Sequence, residues 1–210
     1  MQSKGYLLTV LLITLVTLGV GIALWNSGTQ ELLIDKECTG WCRGAEEPLV
    51  IIDAIPDFLC PICVNRQKLV IQALEIYPDE VRLDYHHCYY PYNEFSYTLA
   101  EALECAGEQD KFWEMHDKVY MGHIPVNMSE ILTVAESVGL DMALFSESLD
   151  SGKFRDKVLA EEEQALADGA KWQSVYINRN LYTGSSSSLE ELCDAIDIAL
   201  EKARAMEDGQ

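Results

Sequence analysis

Cys60 and Cys63, separated by two residues in the stretch FLCPIC, are the side chains of this sequence best suited to chemistry. A Cys-x-x-Cys pair can be a redox couple, half of a zinc site, or two neighbouring core thiols. The spacing alone does not choose between these. The flanking residues favour the first. PLVIIDAI, 48–55, is a short Val- and Ile-rich run that reads as a buried strand. Pro56, Asp57 and Pro61 break it, and VNRQKLVIQALEIY, 64–77, resumes with helical spacing. Cys60 therefore falls at a strand-to-helix junction. Unpaired backbone N–H groups and the macrodipole at a helix N-terminus favour an anion there, so a thiolate is stabilised. Such a thiolate is both nucleophile and leaving group, which thiol–disulfide exchange requires. Cys60 is the expected nucleophile and Cys63, one turn on, the buried resolving thiol. Pro61 suits a first-turn position, where its missing N–H costs nothing. A zinc site would need further ligands, for which Cys38 and Cys42, or His86, His87 and Cys88, are the candidates.

These elements need a compartment that suits exchange. Residues 6–25, YLLTVLLITLVTLGVGIALW, carry no charge. A helix of that length spans about 30 Å, one hydrocarbon core. Lys4 precedes the run, and Glu31, Asp35 and Glu37 follow it. The positive flank stays inside, which puts the rest of the chain outside the cytoplasm. An uncleaved anchor is preferred to a cleaved signal peptide, for which Gly21-Ile22-Ala23 offers a weak cleavage site. The expected localisation is the cell membrane, single-pass, with a periplasmic or extracellular C-terminal domain. Seven cysteines in an exported chain are disulfide candidates, and an odd number leaves at least one free or paired with another molecule. With 35 Asp+Glu against 15 Lys+Arg, a formal charge of -20, the chain repels phosphate backbones, so nucleic acid is excluded as a partner.

The expected organisation is a cytoplasmic tip and anchor over 1–25, then a polar tether over 26–47 carrying Cys38 and Cys42. A domain follows over 48–206, with a tail over 207–210. Within the domain EVRLDYHHC, 80–88, alternates as a second strand. Five helical patterns follow, with Ser129-Glu130 and Asp141 as starts and Gly139, Gly152 and Gly169 as stops. WQSVYINRNLYTG, 172–184, reads as a hairpin through Asn178-Arg179-Asn180, and a last helix over 188–206 is capped by Ser188. Trp113, His116 and Tyr120 read as packing, and Cys105 as a buried free thiol. Cys38 and Cys42 either bridge locally, reach Cys88 or Cys193, or relay electrons to the active pair.

In order along the chain, PLVIIDAIPDFLCPIC, LDYHHCYYP, ALECAGEQDKFWEMHDKVY, LDSGKFRDKVLAEEEQALADGA and VYINRNLYTG resemble the DsbA-like disulfide oxidoreductases of the thioredoxin superfamily, in their membrane-anchored form. The resemblance implies an α/β thioredoxin fold, a central mixed sheet flanked by helices, with a helical insertion over about 93–168. It implies disulfide exchange with exported thiol or disulfide proteins and a membrane redox partner, with no cofactor and no resident metal. It carries the nucleophile role to Cys60 and the resolving role to Cys63. Family members hold a cis-proline before the third strand, where Trp172 and Gln173 stand here. In the family that proline shapes the peptide groove and keeps metals off the cysteines. Pro61, Trp172 and Gln173 are accordingly the candidate substrate-binding residues. Ala54 stands where many members bury an acid, and the dipeptide Pro-Ile between the cysteines implies a less oxidising couple. Two alternatives remain: a metal-binding or delivery module using Cys60 and Cys63 with His87 or Cys88, and a non-catalytic thioredoxin-fold adaptor docking through the Trp172–Gln173 loop.

Overall fold

A computed structural model describes residues 37–38, 40–88 and 93–209. The apolar run 6–25, read as an anchor, lies outside the described residues. No helix among the described residues is long and apolar enough to cross a membrane.

Strands β1 (Trp41–Gly44), β2 (Val50–Ile55), β3 (Val81–Tyr85), β4 (Ser174–Ile177) and β5 (Asn180–Leu181) form one sheet in the order β1-β3-β2-β4-β5. β2 is parallel to β3 and antiparallel to β4, so it lies at the centre. Its residues are buried on both faces except Asp53, which accounts for the near-continuous apolar run. Asp53 instead lies 3.6 Å from His86 Nε2.

Between β2 and β3 runs α1 (Pro61–Ile76), and after β5 comes α7 (Leu189–Glu207). These two helices pack on each other; α1 also contacts β3, and α7 contacts β2 and β4. The expected insertion is present between β3 and β4 as α2 (Glu94–Gly107), α3 (Phe112–Met121), α4 (Met128–Ser137), α5 (Met142–Asp150) and α6 (Arg155–Ala167). Asp141 and Ser188 cap α5 and α7 as read from the sequence. The start of α4 differs slightly: Asn127 is its cap, accepting from the Glu130 N–H at 3.0 Å, two residues before the expected Ser129-Glu130 start.

One difference is larger. Residues 41–44, placed in the tether by the sequence reading, form β1, which pairs antiparallel with β3, Trp41 opposite Tyr85. Trp41 explains why. Its ring stacks on Phe112 with centroids 4.0 Å apart, and its indole N–H donates to Glu104 Oε1 at 2.6 Å. The local bridge among the alternatives is the one observed, Cys38–Cys42, and it closes the turn leading into this strand. Cys88, Cys105 and Cys193 are free thiols.

Candidate active site

The junction expected from the sequence holds the cysteine pair. Cys60 is the N-cap of α1, with extended backbone angles, and its sulfur accepts from the Cys63 N–H at 3.2 Å. Pro61 opens the helix, as its fixed φ allows. Cys60 and Cys63 are joined as a disulfide, with Cα atoms 5.2 Å apart. Cys60 is partly exposed whereas Cys63 is 3% exposed. An incoming thiolate thus meets Cys60 first. On reduction, a Cys60 thiolate inherits the N-terminal hydrogen bond and the helix dipole.

The residues flanking the disulfide in sequence, Leu59, Pro61 and Ile62, are exposed, as is Trp172. Gln173, just before β4, has φ +62°, a left-handed backbone that costs a non-glycine residue about 1 kcal/mol. Its carbonyl oxygen lies 4.0 Å from Cys63 Sγ. All peptide bonds among the described residues are trans. The structure therefore brings Gln173 to the cysteine pair and leaves the Trp172 ring exposed beside it in sequence.

Asp57, read from the sequence only as a strand breaker, is the most connected side chain of this wall. It is 2% exposed. It accepts from the Leu59 N–H at 3.0 Å, the Ser96 hydroxyl at 2.9 Å and the Gln173 side-chain amide at 3.2 Å. Its own carbonyl accepts the Cys60 N–H at 3.1 Å. Cys88 lies beneath the same loop, against the Gln173 backbone and Glu162; burial pushes its thiol up to about 12, so it stays protonated near neutrality. Ala54 is fully buried and brings no acid.

The metal alternative meets an obstacle here. His87 pairs with Glu104, Nε2 to Oε1 at 2.7 Å, in a buried cluster that also takes the Trp41 indole N–H. His87, Glu104 and Glu161 place ligand atoms within 4.8 Å of one another. A cation already serves these carboxylates: Lys157 Nζ lies 2.5 Å from Glu104 and 3.7 Å from Glu161. Burial alone raises the Glu104 pKa, but donors from His87, Lys157 and Trp41 overcome it and hold the carboxyl down at about 2. His116 and Tyr120 are packed in the core as expected. Burial lowers the His116 pKa to about 4, so the neutral ring donates Nδ1–H to Asp117 at 2.8 Å and accepts from Gln67 at 3.0 Å.

A disulfide at a helix N-terminus, one sulfur open and one covered, on a five-stranded mixed sheet with flanking helices, defines a thioredoxin-fold protein of the Cys-x-x-Cys class. The family model described as Thioredoxin matches residues 36–198, and the chain belongs to that family. Solved structures agree on the fold. A thioredoxin-like oxidoreductase of Silicibacter pomeroyi superimposes with a TM-score of 0.67 at 22% identity, covering 82% of this chain and 98% of that one. BdbD of Bacillus subtilis, in its oxidised form, gives 0.66 at 17%, covering 80% and 95%. The thiol-disulfide exchange protein alpha-DsbA2 of Wolbachia pipientis gives 0.65 at 17%, covering 82% and 92%. Among curated proteins, a Na(+)/H(+) antiporter of Salinispora tropica, NhaA 3, is 28% identical over 172 residues, 80% of this chain and 26% of the antiporter. NhaA 1 of Salinispora arenicola is 30% identical over 167 residues, 77% and 25%. The chain thus spans about a quarter of the length of these relatives.

Proposed function

We propose that this chain is an extracytoplasmic thiol–disulfide oxidoreductase, held at the membrane by residues 6–25 and exchanging disulfides with exported proteins or a membrane redox partner. One observation carries the reading: the Cys60–Cys63 disulfide caps α1 with Cys60 open and Cys63 covered. In the oxidising direction a substrate thiolate attacks Cys60 Sγ, the Cys60–Cys63 bond breaks, and Cys63 leaves as a thiolate that takes up a proton. A second substrate thiolate then attacks the substrate sulfur of the mixed disulfide, and Cys60 leaves as a thiolate stabilised by the helix N-terminus. Two electrons pass from the substrate dithiol to the pair, and the reverse sequence reduces a substrate. Pro61, Trp172 and Gln173 form the substrate-facing surface; all three are exposed, Pro61 lies between the cysteines and the Gln173 carbonyl is 4.0 Å from Cys63 Sγ, which supports that role.

The test is trapping. Cys63→Ala should leave Cys60 in mixed disulfides with partners in the native envelope, seen as reductant-sensitive adducts by mass spectrometry. The double variant Cys60→Ser/Cys63→Ala should give none. Equal adducts from both would remove Cys60 as the nucleophile.

A further inference from the structure

Nothing in the exchange steps above uses Asp57, yet the site is built around it. Its two carboxylate oxygens accept three hydrogen bonds, from Leu59, Ser96 and Gln173, all neutral donors. Among the described residues no Lys or Arg pairs with it. Three donors on two oxygens match a carboxylate, which only accepts. An acidic side chain thus stands three residues before the sulfur that must itself become negative on reduction. The same carboxylate holds the Gln173 side chain, whose backbone carbonyl faces Cys63 Sγ at 4.0 Å.

We propose that Asp57 is a positioning residue that sets the redox poise of the cysteine pair, its charge opposing the Cys60 thiolate while its hydrogen bond to Gln173 fixes the loop over Cys63. The inference rests on the exchange reading of the site. The reaction it tunes is Cys60–S–S–Cys63 plus two glutathione thiols giving the dithiol plus glutathione disulfide. Two electrons and two protons enter the pair, and where Cys60 ionises one proton passes on to solvent. A charge that disfavours the thiolate disfavours the reduced side and makes the disulfide a weaker oxidant.

Other groups face this wall. From α2 comes the neutral Ser96. From α3 comes Tyr120, whose phenol burial keeps protonated. The Cys88 thiol and Glu162 of α6 complete it, Cys88 uncharged for the reason given above. Glu162 is present in every variant below, so its charge cancels in the comparison.

Asp57→Asn, in the full chain in detergent, keeps the shape and removes the charge. The ultraviolet absorbance of the thiolate should show Cys60 ionising with an acid constant about tenfold larger, as expected for loss of a nearby unit charge in a partly open site. In glutathione buffers the pair should become about tenfold easier to reduce, about 30 mV for a two-electron couple. Gln173→Ala keeps the charge and releases the loop, so its thiolate midpoint should stay at the wild-type value. Two results overturn the proposal: a midpoint and equilibrium unchanged within twofold in Asp57→Asn, or an equal shift in Gln173→Ala.

Should Asp57→Asn fail to fold, Asp57→Ser carries the test, with the same rise in the Cys60 acid constant expected. A Cys60 acid constant within twofold of wild type in that variant overturns the proposal. A wild-type pair that does not equilibrate with glutathione at all would instead sink the exchange reading itself.

Discussion

Each thiol in this chain is given a role by its surroundings rather than by its identity. Cys60 is partly exposed on a helix N-terminus, Cys63 is covered, and Cys88 and Cys105 are fully buried. Burial pushes the thiols of Cys88 and Cys105 up to about 12, so neither presents a thiolate at neutral pH. Iodoacetamide on the native, oxidised protein should therefore label the partly exposed Cys193 and spare Cys88 and Cys105 until denaturant is added. Peptide mapping after labelling checks this, and native modification of Cys88 would mean that the Gln173 loop opens. The cysteine pair at a helix start was legible in the sequence because its signal is local: a strand, two cysteines and a proline within a few residues. Asp57 was not, since its partners Ser96 and Gln173 lie 39 and 116 residues away. His87 was misleading for the same reason: its neighbours in sequence are Cys88 and His86, but its partner in space is Glu104.

Strand β1 and the turn between β4 and β5 show how elements depart from local signals. WCRG has no alternation to mark it as a strand, and what holds it is pairing with β3 and the Trp41 ring on the insertion. The helices were legible from apolar periodicity, helped at α5 and α7 by the Asp141 and Ser188 caps. In the β4–β5 hairpin Ile177 pairs with Asn180, leaving Asn178 and Arg179 as the two turn residues, both at positive φ. That is the type I′ turn, which favours glycine at its second position. Arg179→Gly should accordingly stabilise the protein by about 1 kcal/mol, read as a raised urea midpoint with an unchanged slope. The Glu104 cluster joins β1, the chain after β3, α2 and α6 at one buried point. Glu104→Gln leaves His87 and Lys157 without their shared carboxylate and should cost about 3 kcal/mol, measured by the same unfolding curve.

Two buried groups set how the whole molecule responds to acid. Glu104 is held down at about 2 when folded, against an ordinary value of 4.5. Its folded pKa is depressed, so its stabilisation is complete above about 4.5 and is lost as pH falls toward 2. His116 is held near 4 against 6.5. The unfolded chain takes up this proton first, so stability falls as pH drops from 6.5 to 4. Each shift corresponds to roughly 3 kcal/mol by linkage. Unfolding midpoints should thus decline in two limbs, and His116→Gln should flatten the upper one. A profile level from pH 6.5 down to 4.5 in the wild type would contradict the buried neutral imidazole. The formal charge of -20 adds a repulsion that salt relieves at neutral pH, which is a reason to run the series at fixed ionic strength.

The central claim, that Cys60 and Cys63 are a working redox couple, is tested most directly by equilibrating the full chain in detergent across a series of glutathione buffers. Acid quenching, alkylation and intact-mass analysis would then count the thiols. One two-electron transition confined to Cys60 and Cys63 by peptide mapping is expected, with a midpoint inside the range glutathione can set. A pair that stays reduced in the most oxidising buffer, or that resists alkylation when reduced until a chelator is added, would contradict it.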